Sequence, residues 1–246
     1  MRNHQSQGNV LFLILIAVAL FAALSYAVTS STRNSNTNIS EDEANLQASA
    51  ILNYTSALRA AILRMQISNG CQDDQFNFSN ALYKFNNDTL ATEVNANSPS
   101  DGRCDVFSPQ GGNLSPLILS PKAWGASNPA ANAIRPGHGR VNISQILNVG
   151  TDDVAGTVTA NDILIGFSYI NKDVCLKIND MMDVENPSGD APPDTFSGGV
   201  QGVYTNGSLT SARIYNDVNI AGKQAFCTKS PTAPYYYFYK IVLRAR

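Results

Sequence analysis

Charge is scarce in this chain. Asp, Glu, Lys and Arg make up 15% of its residues, against roughly a quarter in an average soluble domain, so solubility rests on abundant Asn, Ser and Thr. No cluster of Lys or Arg occurs and the formal net charge is -2. Without a basic field to attract phosphates, nucleic acid is excluded as a partner. Histidine is limited to His4 and His138. A mechanism that needs a histidine base therefore has only His138, in the run Pro136-Gly137-His138-Gly139, where an exposed loop position is the expectation. There is no P-loop, G-x-G-x-x-G or G-x-S-x-G, and Gly198-Gly199-Val200-Gln201-Gly202 reads as the entry to a strand. C-x-x-C is also missing. The four cysteines stand singly with no histidines around them, so no metal site and no cofactor are expected. These absences together predict a protein that is not an enzyme.

Two groups of residues offer alternatives to that conclusion. Asp180, Asp183, Glu185, Asp190 and Asp194 lie in a Pro/Gly loop and bring oxygen ligands together. Their spacing departs from an EF-hand, because Pro187 holds the fifth position counted from Asp183 and no suitable glutamate follows, so a solvated loop is expected. Tyr235-Tyr236-Tyr237-Phe238-Tyr239 offers rigid amphipathic area for a glycan or protein, against a buried strand as the plainer expectation. Trp124, the one tryptophan, fits either a core plug or an exposed contact.

One long apolar run is present. Val10 to Val28 carries no charge, and 19 residues at a 1.5 Å rise cover roughly 28 Å, close to a hydrocarbon core. Arg2 and the amino terminus precede it, which favours a cytoplasmic N-terminus and a body outside. Three processing routes fit. An ordinary signal peptide would be cut between Ala27 and Val28, after the small-x-small pattern Ser25-Tyr26-Ala27. An uncleaved anchor needs no motif. The third route starts from the short polar leader Met1–Gly8, which ends in glycine directly before the apolar run.

That leader resembles those of type IV pilins and type II secretion pseudopilins. The resemblance implies a cut between Gly8 and Asn9 on the cytoplasmic side, a retained apolar helix that packs against other pilin-like subunits, and a non-enzymatic structural role. It also implies an inner-membrane, single-pass protein with a periplasmic or extracellular body. Two positions depart from the family pattern. Asn9 stands where an apolar residue usually begins the mature chain. Leu13 occupies the fifth mature position, where the family carries a glutamate that pairs with a neighbour's amino terminus inside the bundle. The missing carboxylate points to a minor rather than a shaft subunit. The apolar run is also similar to the N-termini of uncharacterised alphaproteobacterial membrane-anchored proteins, a likeness that implies no activity. Its rival in function is a membrane-anchored or secreted extracytoplasmic binding module.

The remaining layout is a polar linker at 29–40 and an extracytoplasmic domain at 41–246. Ser40 and Glu43 have capping-box spacing, and Ala44, Ala48, Ile51, Leu58, Ile62 and Met65 form one apolar stripe, predicting an amphipathic helix over 41–69 that stops at Asn69-Gly70. Arg59 and Arg64 lie off the stripe and are expected to be solvated. Residues 71–145 are rich in turn signals and predict a loop-rich region. From 146 to 246 the period shifts towards two. Ile163–Ile170, Asp173–Ile178, Gly199–Tyr204, Ala212–Ile220 and Tyr235–Leu243 read as strands of an antiparallel sheet, with Asn171-Lys172 as a hairpin turn. The fold class is then α+β, an amphipathic helix laid on a C-terminal sheet, in a pilin-like arrangement. An even cysteine count behind an export signal predicts two disulfides among three possible connectivities. Pairing of sequence neighbours favours Cys71 with Cys104 and Cys175 with Cys227, each contributing about 3–4 kcal/mol by loop closure.

Overall fold

Ser40 begins the longest element. Its Oγ accepts the Glu43 N–H at 3.2 Å, and three acids in the first turn complement the helix dipole. The computed structural model describes residues 12–22, 39–84, 90–91, 95–125, 139–146, 162–198, 202–204, 213–215, 217–231 and 235–244. The chain divides into two units, Met1–Ile39 and Ser40–Arg246. The first contains helix α1 (residues 12–22). Among the described residues no helix is long and apolar enough to cross a membrane.

The second unit is a mixed α+β body. Helix α2 (Glu41–Asn69) ends at Gly70, whose φ of 67° lets its N–H return to the Met65 carbonyl. The buried side of α2 is Ala44, Ala48, Ile51, Thr55, Leu58, Ala61, Ile62 and Met65. Thr55 is tolerated there because its hydroxyl donates to the Ile51 carbonyl at 2.9 Å.

Among the described residues, strands β1 (Asn80–Lys84) and β2 (Leu90–Ala91) form a small ladder, and seven others form the main sheet. These are β3 (Gly139–Ile146), β4 (Asp162–Ile170), β5 (Phe196–Gly198), β6 (Gly202–Val203), β7 (Arg213–Tyr215), β8 (Ala225–Lys229) and β9 (Tyr236–Arg244). The order is β5-β7-β3-β4-β9-β8, with β6 also on β3. Every pairing in the main sheet is antiparallel except β3 with β7. The sheet starts earlier than its sequence suggests. β3 opens at Gly139, inside the stretch expected to be loop-rich, because its alternation is short and follows directly on Pro136-Gly137.

The sheet has two working faces. Phe167 of β4 and Phe238 of β9 stack at 6.3 Å, and Lys240 on the same face reaches Ser56 of α2, so this face lies under the helix. By strand alternation, Tyr239 and Ile241 point the other way. They pack with Leu164, Val184, Tyr215, Ile220 and Phe226 in a second apolar cluster. Gly166 lies opposite Tyr239, whose ring would be 3.2 Å from a Cβ added there. The tyrosine covers the gap that glycine leaves in a central strand. Tyr169 has φ 59° at the register shift between Ser168 and Ile170. Its carbonyl accepts the Gly125 N–H at 2.7 Å, which holds this unfavourable bulge in place.

One expected strand is a helix. Asp173–Ile178 belongs to α3 (Lys172–Met181), and Asn171 is its N-cap, accepting the Asp173 N–H at 2.8 Å, rather than a hairpin residue. Val174, Cys175 and Ile178 alternate loosely enough to resemble a strand. Their burial follows helical three- and four-residue steps instead. Of two further expected strands, Ala212–Ile220 includes Arg213–Tyr215, with 217–220 in a turn, and the described part of Gly199–Tyr204 includes Gly202–Val203.

Candidate functional site

Disulfides fix the two ends of the body. Cys71, just past the end of α2, is bonded to Cys104, and Cys175 on α3 to Cys227 on β8. No cysteine is free. The Cys71–Cys104 bridge ties α2 to a coil in which the Asn77 N–H donates to the Cys104 carbonyl and the Asn77 carbonyl accepts the Val106 N–H. Gly112 is needed in that coil, since an added Cβ would be 2.2 Å from the Val106 carbonyl oxygen. Arg64 is held there too, donating to the Gly112 carbonyl at 2.7 Å. Arg64 is nonetheless exposed, as expected at a helix end, and Arg59 is the exception: half-buried, it donates to Gln224 Oε1.

The acidic loop is occupied by lysines. Asp190 meets Lys229 at 2.6 Å and Lys172 at 3.6 Å, and accepts from the Tyr236 hydroxyl at 2.8 Å. Burial pushes its carboxyl up, but bonds from Lys229, Tyr236 and the Ala191 N–H, with the Lys172 charge, outweigh that and hold it below the ordinary aspartate value. Asp183 pairs with Lys223 at 3.0 Å and Asp180 with Lys177 at 3.8 Å. These carboxylates are dispersed onto separate cations rather than turned towards one point. Among the described residues, no three His, Cys, Asp or Glu side chains are grouped to hold a metal.

The aromatic strand is mostly interior. Phe238, Tyr239 and Tyr236 are buried, and the Tyr236 phenol is pushed up by burial and by its bond to Asp190. Tyr235 and Tyr237 are half-buried and gather around Tyr169 at 5.4 and 6.3 Å. Trp124 is half-buried, bridged to Ile170. Two grooves flank α2. One of 680 Å³ is lined by Leu63, Ile67, Asp73 and Asp74 among others, and one of 390 Å³ lies at Ala57, Ala60, Arg64 and Gly112–Leu114. Neither pairs a nucleophile with a base.

The most unusual surface is α1. Phe12, Leu13, Ile14, Leu15, Ile16, Val18, Leu20 and Phe21 are all 40–74% exposed, so this helix is apolar all round with its large side chains exposed. Gly8, Asn9, Ala27, Val28, His4 and His138 lie outside the described residues.

Comparison with protein families, with curated proteins and with solved structures finds no match.

Proposed function

We propose that this chain is a non-enzymatic, pilin-like structural subunit of minor type, belonging to a type IV pilus or a type II secretion pseudopilus. The observation that carries this reading is the direct junction of Gly8 to an uncharged run whose large side chains stand uncovered through α1. A helix that is hydrophobic all round needs lipid or like helices around it. A cut between Gly8 and Asn9 would retain that helix on the mature chain. Leu13 in place of a buried glutamate leaves it without a charge to pair with a neighbour's amino terminus, which fits a minor subunit. The body supports the reading more weakly. An amphipathic helix lies on one face of a sheet, and the C-terminal strands are clipped by Cys175–Cys227.

Intact-mass measurement of the mature protein tests this. An amino terminus at Asn9, together with recovery of the chain in a sheared surface or membrane filament fraction, is expected. A terminus at Val28 would remove the assembly helix and leave a secreted binding module as the better reading.

A further inference from the structure

At the centre of α2 lies positive charge that no carboxylate among the described residues neutralises. Lys240 rises from β9 beneath the helix with only 8% of its surface exposed, and its Nζ donates to Ser56 Oγ at 2.6 Å. Nearly one turn further along α2, Arg59 donates to Gln224 Oε1. Gln224 directly precedes Ala225, the strand partner of Lys240, and its carbonyl accepts the Ile241 N–H at 2.9 Å. Four side chains therefore lie close together, and among the described residues both cations meet neutral acceptors. Among the described residues neither Lys240 nor Arg59 has a carboxylate partner. Burial, and then the neighbouring guanidinium, hold the Lys240 ammonium below the usual lysine range. Cations removed from water are ordinarily compensated by an opposite charge.

The same helix carries such a charge at its other end. Glu41, Asp42 and Glu43 fill its first turn. Glu41 is paired with Lys177 and Glu43 with Lys122, while Asp42 is exposed and among the described residues makes no ion pair or side-chain hydrogen bond. At 100° per residue, Asp42 and Ser56 point within about 40° of each other, on one side of the helix and roughly 21 Å apart along it. The solvent side of α2 also carries Leu46, Leu63 and Ile67 at 62%, 40% and 85% exposure. An amphipathic helix laid on a sheet would normally carry polar residues there.

We propose that Ser56, Arg59, Gln224 and Lys240 form a carboxylate-binding site, and that its occupant is the acidic first turn of α2, led by Asp42, from a second copy of this chain. Site and ligand occupy different places on one rigid element, so the contact is heterologous and repeats head to tail. This rests on the reading of the chain as an assembling subunit, and adds a contact between bodies to the one through α1.

Charge exchange tests it on the full mature chain in detergent micelles, followed by sedimentation. R59E alone and D42R alone should each weaken self-association about tenfold or more. An equimolar mixture of the two should restore it, because every contact in an alternating array is then complementary again. Single variants that associate like the parent, a mixture no better than its components, or a monomeric parent would each overturn the proposal. If R59E unfolds, R59Q with an unchanged denaturation midpoint takes its place and should still weaken association. The mature terminus is read on the same samples. An Asn9 terminus with charge-insensitive association sinks this contact and leaves the assembly reading standing, whereas a Val28 terminus with rescue intact does the reverse.

Discussion

Asn179 on α3 binds both backbone groups of Cys227 on the edge strand β8: its Nδ2 donates to the Cys227 carbonyl at 3.0 Å, and its Oδ1 accepts the Cys227 N–H at 2.8 Å. One turn earlier on the same helix, Cys175 holds the Cys227 side chain covalently. The amide thus does for β8 what a neighbouring strand would do, and it closes an edge that would otherwise present open hydrogen-bonding groups. Further along, the Pro192 carbonyl and the Asp194 N–H pair with Lys229 in the same way.

Asn179→Leu should therefore destabilise the body by about 3 kcal/mol, because a donor and an acceptor would be left buried without partners. Asn179→Asp should fall between leucine and the parent, since it keeps the acceptor and loses the donor. Urea denaturation midpoints at neutral pH measure both. A leucine variant within ~0.5 kcal/mol of the parent, the usual scale of a surface change, would show that the strand edge does not need this amide.

Removing the second disulfide should cost about 4 kcal/mol by loop closure over its 52-residue separation. Both the bridge and the amide hold Cys227 against α3, so their losses should not add. A double-mutant cycle of Cys175→Ala/Cys227→Ala with Asn179→Leu is expected to fall short of the sum by at least ~0.5 kcal/mol. The same cycle run with Cys71→Ala/Cys104→Ala should be additive, because that bridge acts at the end of α2. Equal coupling in both cycles would contradict this division of labour.

Acid should attack the body through Asp190. Its carboxyl sits below the ordinary value in the fold, so the unfolded chain takes up the proton first as pH drops. The stability it contributes is complete above about pH 4 and disappears as pH falls through the lower folded value. In Asp190→Asn, stability at pH 7 should be reduced and the loss below pH 4 should be shallower than in the parent. Denaturation midpoints between pH 2 and 7 would show this, and parallel curves for the two proteins would refute it.

What the sequence discloses depends on how local the deciding interaction is. Helix α2 is legible because its cap, its stripe and its stop are all written within it, from Ser40 and Glu43 to Gly70. α3 is masked because Val174, Cys175 and Ile178 fit a strand almost as well as a helix. The deciding residue is Asn171, whose side chain can be a turn or a cap. β3 and β7 are paired in parallel across about seventy intervening residues, and nothing near either strand states that pairing. The cationic spot is hidden for the same reason. Arg59 and Lys240 stand 181 positions apart in the chain, and only the packing of α2 on β9 brings their charges together.

That packing makes Lys240 the clearest case of stability set against assembly. Its ammonium is partly removed from water, with the Ser56 hydroxyl as its acceptor and the Arg59 guanidinium nearby, so the charged form is disfavoured in the fold. The unfolded chain then holds the proton more firmly, and stability climbs with pH in the alkaline range up to about 10.4, the unfolded value. Lys240→Met, which keeps the stem and deletes the charge, should raise the unfolding free energy at pH 7 by about 1 kcal/mol and abolish the alkaline climb. The same variant should associate less well than the parent, because half of the cationic pair that faces Asp42 is gone. A methionine variant that is less stable at every pH would mean that the ammonium is fully compensated inside the body, and the argument for an outside carboxylate would fail with it.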